Sequence, residues 1–185
     1  PPMSKARTFY DLFKLAAEAK PNLETFKVRR KSGRIEGRTF KEMHELISAL
    51  AAGLRAGGIQ KGDRITLLCD GSPNWIIADA GIIAADAISV PRGTDVTDDD
   101  ILYIVGHSES RWAIVQQNKD RERLLKFQKE LPKLEKIFVL ESDDFQLAEG
   151  QDSVKQLIAS GREMLSQNPK LIENIAAVTN PAEMA

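Results

Sequence analysis

The sequence predicts an α/β fold, a mainly parallel sheet with flanking helices, preceded by a helix and a small β-hairpin. Three observations carry this reading. Short apolar runs recur at "RITLLC", "AISV", "RWAIV" and "KIFVL", without the strict alternation of strands that face water on one side. Their residues Ile65, Ile88, Trp112 and Ile137 stand about 24 residues apart, room for one helix and two turns in a strand-helix-strand crossover. The intervening segments read as helices: Pro73 to Ala85, Asp98 to His107 behind a Thr97 cap, and Lys119 to Leu131. No sequence repeat accompanies the spacing, so it reflects architecture and not duplication.

Ahead of the sheet, Thr8 can cap a first helix whose apolar positions Phe9, Leu12, Phe13, Ala16 and Ala17 recur at helical spacing until Pro21. "ETFKVRR" and "RIEGRT" around "KSG" predict a hairpin with basic residues outside. Thr39 and Glu42 have the spacing of a capping box, and Met43, Leu46, Ile47, Leu50 and Leu54 mark one face of a helix that Gly57-Gly58 ends. After the sheet, Val154, Leu157, Ile158 and Leu165 mark a helix ending near Asn168-Pro169, and "KLIENIAAVTNPAEMA" predicts a further helical turn, then an extended piece. The chain is thereby divided into an N-terminal helix and lead-in (1–22), hairpin plus amphipathic helix (23–58), parallel βαβ unit (59–150) and a closing helical segment (151–185).

The 185 residues, 42% hydrophobic and 29% charged, suit a globular chain with a sizeable core. A net charge of −1 supplies no field that would draw the protein to nucleic acid. The single Cys69 cannot form an internal disulfide, which fits a reducing compartment, and the most apolar window, Ile76 to Val90, is interrupted by Asp79 and Asp86. Neither a signal peptide nor a membrane span is expected, and the cytoplasm is the expected location.

The strand ends are where such a sheet would place chemistry, and they read "CDGSPN", "PRGTDVT", "QQNKD" and "ESDDF". None offers the glycine-rich run that cradles a phosphate. Ser72 lacks a nucleophile-elbow context and, with Pro73 behind it, reads as a helix cap. Cys69 reads as a small buried hydrophobe. Asp70, Asp143 and Asp144 occupy positions where a phospho-acceptor domain keeps its acids, but turn chemistry explains them as well. Asp95, Asp98, Asp99 and Asp100 read as stabilisers of a helix start and not as a calcium loop. His44 and His107 lack a second ligand at motif spacing, so neither reads as a zinc site. Arg29, Arg30, Lys31, Arg34 and Arg38 make the hairpin basic, either as a solvated edge or as a weak anion patch. No residue is assigned a catalytic, cofactor-binding or metal-binding role.

Read together, "TFKEMHELISALAAGLRAGGIQKGDRITLLCDGSPNWIIADAGIIAADAISVP" and "DVTDDDILYIVGHSESRWAIV" closely resemble the N-terminal part of the adenylate-forming acyl-CoA synthetases, most of all the long-chain fatty-acid CoA ligases. The resemblance runs from about Phe9 to Leu140 and rests on order and spacing, since no single piece is a catalytic signature. Two departures stand out: Asp86 where the family usually has glycine, and "RGTD" after Pro91 where many members carry an apolar or aromatic residue before the threonine. The resemblance implies that the phosphate loop, adenine and ribose contacts, hinge and catalytic lysine lie downstream, and that "AVTNPAEMA" approaches the strand carrying that loop. It implies an incomplete N-terminal domain, inactive alone, that binds no cofactor itself. The intact enzyme would use fatty acid, ATP, magnesium and CoA, with the remainder of the polypeptide as this segment's partner. A homodimer and peripheral membrane contact remain compatible with it. Two competing expectations are another adenylate-forming ligase, activating an aryl, short-chain or amino acid, and a non-catalytic α/β binding module.

Overall fold

Helix α1 (Phe9–Ala19) opens on a reciprocal cap, in which the Thr8 hydroxyl accepts from the Asp11 amide and the Asp11 carboxylate accepts from the Thr8 amide. A computed structural model describes residues 6–179 of the chain. The face that α1 buries is Tyr10, Phe13 and Ala16, whereas Phe9, expected inside, is 54% exposed. The contact with the following helices is made one position around from the predicted stripe. Strands β1 (Glu24–Arg29) and β2 (Ile35–Thr39) form the antiparallel hairpin, turning through Gly33 at a φ of +84° that suits glycine. Thr39 ends β2 and caps α2 (Phe40–Ala56) through the predicted box with Glu42.

Helix α2 is not amphipathic in the expected sense. Ala49, Ala51, Ala52 and Gly53 are buried along with Met43, Ile47, Leu50 and Leu54, because α1, α3 and α6 surround it. A hydrophobic stripe identifies one contact face, but small residues on the other faces admit further helices.

The sheet is β3 (Arg64–Leu68), β4 (Ile88–Arg92), β5 (Trp112–Val115) and β6 (Lys136–Val139), all parallel in the order β4-β3-β5-β6. Helices α3 (Pro73–Ala84), α4 (Asp98–Ser108) and α5 (Asn118–Lys126) connect them. Alternate residues face opposite layers: Ile65, Leu67, Trp112, Ile114 and Phe138 pack with α2, α3 and α6, while Leu68, Ala113 and Val115 pack with Ile101, Val105, Leu124 and Leu131. Two expectations are corrected here. Strand β4 is only partly covered and runs through Pro91, which an edge strand tolerates because its outer side needs no ladder donor. Helix α5 ends at Lys126, five residues before Leu131, and turns over 127–130 bring Leu131 and Leu134 into the buried cluster with Leu124.

Beyond the sheet, α6 (Val154–Gln167) starts at the Ser153 cap and α7 (Leu171–Val178) follows. The extended piece expected after α7 lies outside the described residues from 180 on. The α2–α6 contact has no room for side chains at two points. A Cβ on Gly53 would overlap the Leu157 carbonyl, and one on Gly161 would overlap the Ala49 carbonyl. Gly53→Ala and Gly161→Ala should therefore each lower stability by about 3 kcal/mol in urea unfolding, while Gly71→Ala, at an exposed glycine with open space, should stay within about 0.5 kcal/mol.

Candidate functional site at the carboxyl ends of the strands

Strand β3 sends one crossover to β4 and lies beside β5 on its other side, so the order reverses between β3 and β5. The residues beyond the carboxyl ends of those strands are where an open parallel sheet offers a binding crevice. Cys69 to Ser72 follow β3, Gln116 to Asn118 follow β5, and Glu141 to Asp144 follow β6.

At their centre is Glu141, 2% exposed. Its Oε2 accepts from Asn74 Nδ2 at 2.8 Å and from Ser72 Oγ at 3.2 Å, and its Oε1 accepts from Gln116 Nε2 at 2.8 Å. Asn74, fully buried, also donates to the Phe145 carbonyl at 2.7 Å and accepts from Arg38 Nη1 at 2.8 Å. A hairpin cation thus meets a sheet-end carboxylate through one amide, without a direct ion pair. Burial, and after it the neighbouring Arg30, holds the Arg38 guanidinium below its usual pKa.

The structure distributes the acids instead of gathering them. Asp70 accepts from the Thr94 amide at 2.8 Å and hydroxyl at 2.7 Å, and these bonds keep its carboxyl below the usual range. Asp144 accepts from the Lys31 amide at 2.8 Å, and Asp143 lies 3.6 Å from Lys31 Nζ. Asp100 completes the α4 capping box with Thr97, and Asp98 accepts from Arg123 at 2.9 Å. His44 lies against the Tyr10 ring, with its pKa pushed down by burial, and His107 stacks on Tyr103. Among the described residues no three His, Cys, Asp or Glu side chains converge to hold a metal.

The expectation that the hairpin's basic residues face outward holds for Arg29, Lys31 and Arg34 and needs correction for Arg30 and Arg38. Arg30 has a side chain 12% exposed, bonds Glu36 at 2.7 Å and reaches the Asp144 carbonyl, while Arg38 turns inward to Asn74. Exposed basic residues cannot be told from docking ones in a strand pattern, because the distinction depends on what the hairpin lies against.

Ser72 holds the place expected of it. Its hydroxyl oxygen accepts from the Trp75 amide at 3.1 Å and donates its proton toward Glu141, so both capacities are engaged. Cys69 is 3% exposed, its Sγ donates to the Asp70 carbonyl at 3.2 Å, and burial, aided by Glu141, pushes the thiol up to about 12. A thiol held in that form is a poor nucleophile. Glu141, Asn74 and Gln116 were not distinguishable in the sequence: an acid or amide next to a strand is common, and their meeting spans 25 to 67 residues.

Two open grooves flank the network. One of about 500 Å³ is lined by Gln117, Lys119, Arg121, Glu141, Asp143 and Ser153, and one of about 410 Å³ by Cys69, Asp70, Trp75, Pro91, Arg92 and Gly93. Charge in the first is of both signs, which suits packing against polypeptide at least as well as against an anion.

Ser72→Ala removes the cap and one donor to a buried carboxylate, and should cost about 2 kcal/mol in chemical unfolding, whereas Ser72→Thr should recover more than half of it. Cys69 should resist a disulfide reagent at pH 8 to 9 until urea unfolds the chain. Because the folded thiol titrates above the unfolded one, its contribution is intact below about pH 8.5 and should be lost as pH rises toward 12, measured by unfolding at stepped pH.

Comparison with known proteins follows the same outline. The family model of the AMP-binding enzymes matches residues 13–179. A chloroplastic long-chain-fatty-acid acyl-carrier-protein ligase of Arabidopsis thaliana is 38% identical over 82 residues, covering 44% of this chain and 11% of the relative. Long chain acyl-CoA synthetase 1 of the same plant is 32% identical over 124 residues, covering 64% of this chain and 19% of the relative. The chain therefore spans less than a fifth of either. The crystal structure of a putative long-chain-fatty-acid CoA ligase from Rhodopseudomonas palustris superposes with a TM-score of 0.68 at 20% identity, over 83% of this chain and 37% of that one, a likeness of fold. Among the described residues no helix is long and apolar enough to cross a membrane.

Proposed function

Since the chain belongs to the AMP-binding enzyme family, we propose that it is the N-terminal scaffold of a long-chain fatty-acid CoA ligase. The observation that carries this reading is the family match over residues 13–179, joined to relatives whose names specify long-chain acyl substrates. In the proposed reaction a fatty-acid carboxylate attacks the α-phosphorus of ATP, pyrophosphate leaves, and the thiol of CoA displaces AMP from the acyl-adenylate. Atoms balance without an oxidant or reductant.

The described residues do not fit magnesium or the ATP phosphates. No three carboxylates converge, and no strand end offers a run of glycine amides. We therefore assign those groups to the remainder of the polypeptide and no chemical step to this segment. Its proposed work is mechanical. The Glu141 network locks the strand ends, and the two grooves beside it offer walls on which a further part of the enzyme can rest.

The test is to express the complete coding sequence and follow pyrophosphate release. Palmitate with ATP, magnesium and CoA should support turnover at least about tenfold faster than acetate or benzoate, and the 185-residue chain alone should show no ATP binding by calorimetry. Faster turnover of benzoate or acetate would overturn the long-chain assignment and leave the ligase. Release of no pyrophosphate with any carboxylate would overturn the ligase reading for this protein.

A further inference from the structure

Thr179, at the end of α7, is the meeting point of three remote parts of the chain. It is 2% exposed, its carbonyl accepts from Arg7 Nη2 at 2.9 Å, and its hydroxyl lies 3.1 Å from Asp86 Oδ1, 93 residues away in sequence. The same hydroxyl lies 2.9 Å from the Ile175 carbonyl, so its single proton is shared between two acceptors. Asp86 stands in the turn between α3 and β4, where its own carbonyl accepts from the Gly62 amide at 2.8 Å.

Asp86 is an expensive residue for this place. Its φ of +60° is left-handed, a region that glycine enters freely and aspartate enters at a cost. Its side chain is also withdrawn from water, the residue being 7% exposed, and a buried carboxylate needs a donor. Glycine would avoid both penalties. The only gain visible among the described contacts is the bond to Thr179.

We propose that Asp86 is a positioning residue: through Thr179 its carboxylate fixes the direction in which the chain leaves α7. Arg7 holds the carbonyl of the same residue, so the exit is gripped on its side chain and its backbone. The consequence for catalysis rests on the function proposed above and on the family resemblance, which implies that the segment after Thr179 leads to the phosphate-binding loop. A clamp at Thr179 would then set the approach of that loop to ATP while touching neither ATP nor the fatty acid.

Asp86→Gly is the informative variant, because glycine suits the backbone and the fold should survive. The complete protein is compared with Asp86→Gly, Asp86→Asn, Thr179→Val and the Asp86→Gly/Thr179→Val pair. Asp86→Gly should raise KM for ATP about fivefold or more with KM for fatty acid unchanged, the pair should be no worse than the worse single variant, and Asp86→Asn, which can still accept, should recover most of the loss. Exchange of the Thr179 amide, bonded to the Ile175 carbonyl at 3.1 Å, should quicken about tenfold in Asp86→Gly. Exchange at the wild-type rate in Asp86→Gly would overturn the clamp. Faster exchange with an unchanged KM for ATP would overturn its part in catalysis. If the complete protein forms no adenylate, the proposed function fails, and hydrogen exchange alone decides whether Asp86 positions the exit.

Discussion

A carboxylate cut off from water must be supplied with donors, and Glu141 is supplied by Ser72, Asn74 and Gln116. Each donor comes from a different structural event. Ser72 caps α3, Asn74 lies in its first turn, and Gln116 follows β5. Satisfying one carboxylate therefore fixes how three strands end and where a helix begins. The hairpin enters the same arrangement, since Arg38 bonds the oxygen of Asn74 while its neighbours Arg30 and Lys31 bond Asp144. Removing one member would leave others unpaired in a buried place, which is why such networks behave as units.

That arrangement sits on a sheet whose two faces are served differently. One face carries the large layer built around α2, where glycines at 53 and 161 let two helix backbones approach. The other carries the smaller layer of α4 and α5. The carboxyl-end loops are held from both sides: Arg123, on α5, bonds the Thr94 carbonyl and Asp98, while Asp70 takes the amide and hydroxyl of Thr94. Loops tied in this way make a firm wall and leave few side chains free for chemistry. The two groups with nucleophilic character, Ser72 and Cys69, are committed to a cap and to burial.

Asp86 is the exception to local economy. Gly33 takes a positive φ, Pro73 starts a helix and Pro91 lies on an edge strand, and of the five described non-glycine residues at positive φ (Asp86, Glu109, Asp144, Phe145 and Asp152) Asp86 is the buried one. At 86 a strained and buried carboxylate is kept and given to Thr179. A cost carried where glycine would remove it points to something gained at a distance.

The caps at Thr8, Thr39, Ser72 and Thr97, the four strands, the hairpin and the family resemblance were all legible in the sequence by itself. Caps and periodicity are short-range: the groups concerned lie within three or four residues, so the pattern that predicts them is also the one that makes them. Only the tertiary structure decided that α2 is enclosed, that Phe9 faces water, that Arg30 and Arg38 turn inward, and that α5 stops early. The Glu141 network and the Asp86 clamp belong with these, joining residues 67, 69 and 93 positions apart. At such separations any of several acids could be the one that is buried. The choice falls to packing, which buries Glu141, Asp86 and Asp120 beside donors and leaves acids such as Asp99 and Glu149 exposed.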